Sequence, residues 1–258
     1  MESAWASSRK SAYTIGAIIF FILIAIGVYF SRYYKAPTCT DGIQNQKEEG
    51  VDCGGTCTVV CDASTASPIV LWSRAFPSSH GVYNAVAYIE NPNSNVGVKS
   101  VTYRFKLYDE NNVLVAERLG KAFIVPNERF AIFEPRISTG ERVPKRAFFE
   151  FVKFSEWTKL EKEMPKILVR NEKISNPDTF PRVTATLQNG TLVEISDINV
   201  VAIVYDKNDN AMAVSATQVD RLNADSSYDI AFTWDVPFPS ESSRVEVIPR
   251  VDLFGFTF

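Results

Sequence analysis

The longest apolar run lies at the start of the chain. Ala12 to Phe30 reads AYTIGAIIFFILIAIGVYF, 19 residues without a charge, with Arg9 and Lys10 before it and Arg32 and Lys35 after it. At a helical rise of about 1.5 Å per residue it spans roughly 28 Å, close to the hydrocarbon thickness of a bilayer. A cleaved secretory signal has a shorter apolar core and ends at a small-residue site, whereas this run passes into Ser-Arg-Tyr-Tyr-Lys, and no lipoprotein box precedes Cys39. The pattern predicts an uncleaved anchor in the lipid bilayer over 12–33, with Tyr29, Tyr33 and Tyr34 at the interface and a short tail, 1–11, before it.

Beyond the anchor the periodicity changes to short alternating runs rich in Val, Ile, Phe and Tyr, punctuated by Asn, Asp, Gly and Pro. Ala85 to Glu90, Ser100 to Tyr108, Val113 to Glu117, Phe130 to Glu134 and Ala147 to Phe154 read as strands, and Asp109 to Asn112 as a tight turn. Only Ser155 to Glu163, SEWTKLEKE, has a helical pattern, read as a short connector packing Trp157 and Leu160. The run Val251 to Phe258 places Phe254, Phe256 and Phe258 on one face of a last strand. That face is either buried in its own domain or a partner-binding strand that adds to another sheet.

The strand pattern repeats. Pro68-Ile-Val-Leu answers Pro165-Lys-Ile-Leu, and Tyr108-Asp109-Glu-Asn111 answers Tyr205-Asp206-Lys-Asn208, both at an offset of 97 residues. Ala85 to Asn91 answers Arg182 to Asn189 with a one-residue gap. Internal repetition divides the body into 68–164 and 165–258, and about seven strands in each copy is the count of an immunoglobulin-like sandwich. The fold class is therefore all-β: two tandem immunoglobulin-like β-sandwiches behind one transmembrane α-helix. Trp72, Trp157 and Trp234 are expected in the sandwich cores or at the joint between them.

Cysteine changes the picture of residues 34–67. All four cysteines, Cys39, Cys53, Cys57 and Cys61, fall in one Gly- and Asp-rich stretch, which reads as a coreless neck stapled by two disulfides of open connectivity. Their spacing is not that of paired zinc knuckles. Asp41, Asn45, Glu48 and Asp52 offer oxygen ligands suited to calcium, although not at EF-hand spacing. Disulfides persist outside the reducing cytosol, so the amino terminus is placed in the cytoplasm and the body in a periplasmic or extracellular space.

Two family resemblances are carried by these residues. The stretch from Cys39 to Cys61 resembles a C-x-D-G…D-C-G-G-x-C module of secreted and cell-surface proteins. Phe105-Lys106-Leu107-Tyr108-Asp109 is similar to the F-x-L-Y-D motif of FxLYD domains, and its flanks Glu90 to Asn93 and Asn111 to Leu114 resemble late-embryogenesis-abundant type 2 (WHy) domains. The second copy keeps Tyr205 and Asp206 but has Ala202 and Val204 where the motif has Phe and Leu. The resemblance implies β-sandwiches on envelope proteins, with no catalytic constellation attached to the motif. Alternation would bury Phe105 and Leu107, while Asp109 would open the hairpin by accepting backbone amides.

Chemistry is sparse. The net charge of −3 shows no basic stripe for nucleic acid. One histidine, His80, stands in the loop Pro77 to Gly81, and no nucleophile elbow, phosphate loop or zinc-protease motif is present. Asn189-Gly-Thr191 is formally a glycosylation triplet. Together these features read as a non-catalytic, membrane-anchored adaptor that binds protein partners in the cell envelope. A structural subunit of a surface polymer or coat, and a hydrolase with a cleft between the domains, are the alternatives. No cofactor is expected beyond calcium in the neck.

Overall fold

The computed structural model describes residues 4–33, 38–45, 47–161 and 164–255. It divides into two compact units, residues 1–57 and 58–258. In the first, helix α1 (Ala4–Arg32) carries the apolar run. Within Arg9–Arg32 an 18-residue stretch reaches a mean hydropathy of 2.4 with none of it buried, the character of a single-pass membrane or signal anchor. Arg32 in the last turn faces the partial negative charge of the helix end. The expected interfacial Tyr34 lies outside the described residues.

The second unit is β throughout. Its strands are β1 (Val59–Val60), β2 (Ile69–Ser79), β3 (Val82–Glu90), β4 (Val96–Tyr108), β5 (Leu114–Ile124), β6 (Arg129–Ser138), β7 (Arg146–Phe154), β8 (Trp157–Lys159), β9 (Ile167–Ser175), β10 (Arg182–Asn189), β11 (Ile195–Asp206), β12 (Ala211–Leu222), β13 (Ser227–Thr233) and β14 (Ser242–Arg250). In the first copy β2-β3-β6 faces a sheet in which β4 pairs with β5, β7 and β8, and β1 extends β8. In the second copy β9-β10-β13 faces β12-β11-β14. Strands β2 to β7 and β9 to β14 are thus wired identically, and all ladders are antiparallel. The repeat seen in the sequence is a repeat of topology.

Alternation sets the two cores. Val101, Tyr103, Phe105 and Leu107 of β4 point into the first core with Ala85, Ala87 and Ile89 of β3. Val200, Ala202 and Val204 of β11 take the matching places in the second, opposite Val183, Ala185 and Leu187. Ala202 and Val204 therefore do in the second copy what Phe105 and Leu107 do in the first. Trp157 lies in the first core and Trp234 in the second.

A third core was not expected. Phe76, Val86 and Ala131 from β2-β3-β6 pack against Val201, Ile203, Tyr205, Val214 and Ile248 from β11, β12 and β14, with Trp72, Tyr88 and Phe133 at its margin. The sheets β2-β3-β6 and β12-β11-β14 are consequently covered on both faces, and the two sandwiches form one compact unit.

Three local expectations are corrected. Ser155 to Lys159 is not helical: Trp157 to Lys159 form β8, which takes up Val96 to Val98 and so lengthens the first sheet. A short helix gains little by itself, whereas a strand here satisfies an open ladder edge and buries Trp157. The stretch 62–67 begins with a 3-10 turn, Asp62–Ser64, and β1 before it is already part of the body. Finally, Val251 to Gly255 do not continue as a strand, since Leu253, Phe254 and Gly255 form a turn. Phe256 and Phe258 lie outside the described residues.

Candidate functional site

Glycines and carboxylates shape the neck. Gly42, Gly54 and Gly55 have positive φ of 75°, 77° and 54°. A Cβ at Gly55 would strike the Lys47 carbonyl oxygen, so only glycine fits there. Cys39 is bonded to Cys57, Cys53 and Cys61 are disulfide-bonded too, and no free cysteine remains. The sequence left three connectivities open, and the fold selects among them.

The four residues expected to bind calcium are largely engaged with the loop itself. Asp41 accepts the amides of Ile43 (2.9 Å) and Thr38 (3.2 Å) and the Asn45 side-chain amide (2.9 Å). Asp52 receives the Gly42 amide on both oxygens, and the buried Glu48 receives that of Asn45 at 3.1 Å. Asn45 Oδ1 is buried without a hydrogen-bond partner, but one such oxygen is far from the six to eight that calcium takes. Among the described residues, the grouping of potential ligands is Cys39, Glu48 and Cys57, and its two sulfurs are bonded to each other. These carboxylates fit the role of backbone acceptors better than that of a cation cage.

The Tyr-Asp motif is a turn device in both copies. Asp109 Oδ1 accepts the amides of Asn111 (3.0 Å) and Val113 (2.9 Å), and Asp206 Oδ1 those of Asn208 (2.8 Å) and Asn210 (2.9 Å). The Asn210 amide, ahead of the other bonds to Asn208 and Asn210, holds the Asp206 carboxyl below its usual range. A second repeated device is asparagine. Buried Asn91 donates to Val96 and Val125 carbonyls at 3.0 and 2.8 Å, and buried Asn189 to those of Val193 and Asn223 at 2.8 and 2.9 Å. Asn189 is thereby unsuited to glycosylation: its amide nitrogen is enclosed and occupied. His80 lies exposed at the β2-β3 turn.

Charged groups cluster where the two sandwiches meet. Tyr88 and Tyr205 hydroxyls donate to the two oxygens of one carboxylate, Glu246, at 2.7 and 2.8 Å. Burial first, and then this carboxylate, pushes both phenols far above their ordinary range. The Arg244 guanidinium lies 3.6 Å over the Tyr205 ring. On the other side Arg250 makes a two-pronged pair with Glu128, both bonds 3.0 Å, and donates to the Phe123 carbonyl at 2.9 Å. It is also stacked 4.4 and 4.1 Å from the Phe123 and Phe130 ring centres.

A cavity of about 390 Å³ opens at this joint, lined by Tyr103, Phe123, Ala131, Phe133, Val201 and Arg250 among others. Glutamates around it are engaged: Glu128 with Arg250, Glu134 with the Tyr103 hydroxyl (2.7 Å), and Glu246 with the two tyrosines. A hydrolase cleft calls for a pair of carboxylates free to handle protons, and these are tied into the scaffold. Sequence reasoning did not identify the joint, although a signal was present. Val200 to Tyr205 is an unbroken apolar run, the mark of a strand covered on both faces.

Of the three C-terminal phenylalanines only Phe254 is among the described residues. Val251 enters the second core and Leu253 is buried. The Phe254 ring rests against β4 of the first sandwich, where a Cβ on Gly97 would come within 3.2 Å of it.

No family model matches the chain, and no curated protein sequence matches it. Among solved structures it is similar to red sea bream transglutaminase at 9% identity and a TM-score of 0.23, over 72% of this chain and 31% of that one. The chain thus spans about a third of that enzyme's length, and a likeness this low says nothing about what the chain does.

Proposed function

We propose that the chain is a non-catalytic, membrane-anchored adaptor whose body lies outside the cytoplasm and binds a protein partner as a subunit of a cell-envelope assembly. The observation that carries this reading is the succession of a membrane-length apolar helix and a neck with all its cysteines oxidised. Disulfides last in oxidising compartments, so the neck and the β-sandwiches after it belong on the far side of the membrane. Two sandwiches joined by an apolar third core make one inflexible body, a form suited to presenting surfaces at a fixed geometry. The carboxylates around the joint serve the scaffold, which favours binding over hydrolysis. The likeness of Phe105 to Asp109 to FxLYD domains points the same way, toward envelope sandwiches.

The test is crosslinking in intact cells, then affinity capture of the tagged full chain from solubilised membranes. A defined protein recovered in near-stoichiometric amount supports the adaptor. A chain that remains alone under every crosslinking condition overturns it.

A further inference from the structure

The geometry points to a docking site for an acidic, extended peptide segment of a protein partner, along the start of β7 on the first sandwich. The inference rests on the adaptor reading and names where the partner would be held and by what chemistry.

Three shallow cavities of about 420, 440 and 410 Å³ adjoin there and share lining residues. Lys145 lines two of them and Arg146 lines two, with Arg74 and Arg142 toward the ends. All four cations are exposed, and among the described residues none of them is in an ion pair. Their hydrogen bonds go to neutral acceptors: Arg146 to Asn112 Oδ1 at 2.7 Å and Arg74 to the Ala211 carbonyl at 3.0 Å. The acidic groups nearby are already occupied or few. Asp109 accepts turn amides, Glu150 holds Lys106 at 2.9 Å, Asp206 is fixed in its own turn with Arg74 favouring its charge, and the exposed Glu110 and Glu141 remain. In a chain of net charge −3, this accumulation of positive charge is local, and the partner it complements is anionic.

The same surface selects a peptide over a bare phosphate or a sugar acid. Phe148 is 53% exposed and Val143 51% exposed, both set among the cations, and Phe148 shares a cavity with Lys106 and Arg146. Apolar anchors spaced between positive charges match a segment that alternates acidic and apolar side chains. Strand β7 has β4 as its ladder partner, and its other side runs beside β2, whose Ser73 hydroxyl donates to the Ala147 carbonyl at 2.7 Å. An extended segment would therefore lie over the exposed outer face of β7, where Arg146 and Phe148 stand two residues apart, and not add to its edge.

The probe is a fluorescent peptide of alternating Glu and Val, titrated by anisotropy against the full-length chain in detergent. Wild type should bind it, and more weakly as salt rises. The R142A/K145A/R146A variant, with an unchanged melting temperature, should bind at least about tenfold more weakly. Phe148→Ser should weaken binding at both low and high salt, because its contribution is apolar. R142E/K145E/R146E should instead take up a Lys-Val peptide. Absence of binding by wild type, or equal binding by the triple alanine variant, overturns the site. So does tighter binding to phosphatidylglycerol vesicles that depends on the same three residues, since that would assign the patch to lipid. Capture from membranes separates this failure from failure of the adaptor reading: a partner recovered equally by wild type and triple variant leaves the adaptor and removes the site.

Discussion

Arg250 shows how a single side chain can join two domains. Its side chain is 7% exposed and its partner Glu128 10% exposed, so truncating one strands the other as a buried charge. We expect Arg250→Ala to cost about 3–5 kcal/mol in chemical denaturation, and the double variant Arg250→Met with Glu128→Leu to recover most of it. A double variant as unstable as the single would mean that the pair is not the origin of the loss. At Asp206 the consequence is a pH dependence. Its folded pKa lies below the usual 3.8, so it stabilises the fold above the unfolded value and the contribution is lost as pH falls through the depressed one. Asp206→Asn should lower stability at neutral pH and flatten the acid limb. Tyr88 and Tyr205 are the opposite case. Their raised values place their contribution below the ordinary phenol pKa, and it is lost as the pH rises through the folded values, so a Tyr88→Phe, Tyr205→Phe variant should have a shallower alkaline limb.

At the level of strands, parity decides which sheets meet. Val86 and Tyr88 on the outer face of β3 correspond to Thr184 and Thr186 on β10, while Arg104 and Lys106 on β4 correspond to Val201 and Ile203 on β11. One face in each copy is apolar, and those two faces are the pair in contact. Ile203→Ala removes fully buried methyl groups and should cost about 2–5 kcal/mol. Thr184→Ala, on the corresponding solvated face of its own sandwich, should stay within about 0.5 kcal/mol. Equal losses at the two positions, read by denaturant midpoints, would contradict a joint that survives in solution. Bulges serve the sheet edges. Strand β6 carries Arg136 at φ 55° where its register with β3 shifts, and β9 carries Asn171 at φ 58° where its register with β10 shifts. Irregular, charged edges discourage chance pairing, which narrows the places where a partner strand could add.

For the molecule as a whole the joint is head-to-tail: a β2-β3-β6 sheet meets the counterpart of β5-β4-β7. Such a contact can propagate if its two open ends are complementary. Here the outer face of β10, with Arg182, Thr184 and Thr186, lacks the apolar groups that Val86 and Tyr88 supply in the first copy, which acts against a polymer or coat. Topology is tested directly by cysteine labelling. With the anchor oriented as proposed, a cysteine at Ser240 should react with an impermeant thiol reagent in intact cells, and one at Ser7 only after lysis. Labelling at Ser7 alone would reverse the orientation.

Properties that repeat along the chain could be read without the fold. The apolar run of α1, the alternation of β4 and the Asp109 and Asp206 turns are local patterns, each imposed by hydrogen bonding or burial within a few residues, and the 97-residue offset shows because the same local patterns recur. The stretch Ser155 to Lys159 shows the limit: its helical spacing yielded to a ladder edge remote in sequence, at Val96 to Val98. The pairing of Cys39 with Cys57 was likewise beyond the spacing alone, because it depends on how the neck turns at its glycines. The same holds for the bond from Tyr88 to Glu246 and for Arg250 on Glu128, which join the two copies. Apolar patterning told which faces must be covered, and the third core depended on which faces the tertiary fold could bring together. Burial is a demand each strand makes alone, while a contact between distant strands is a choice made jointly by all the surfaces that compete for it.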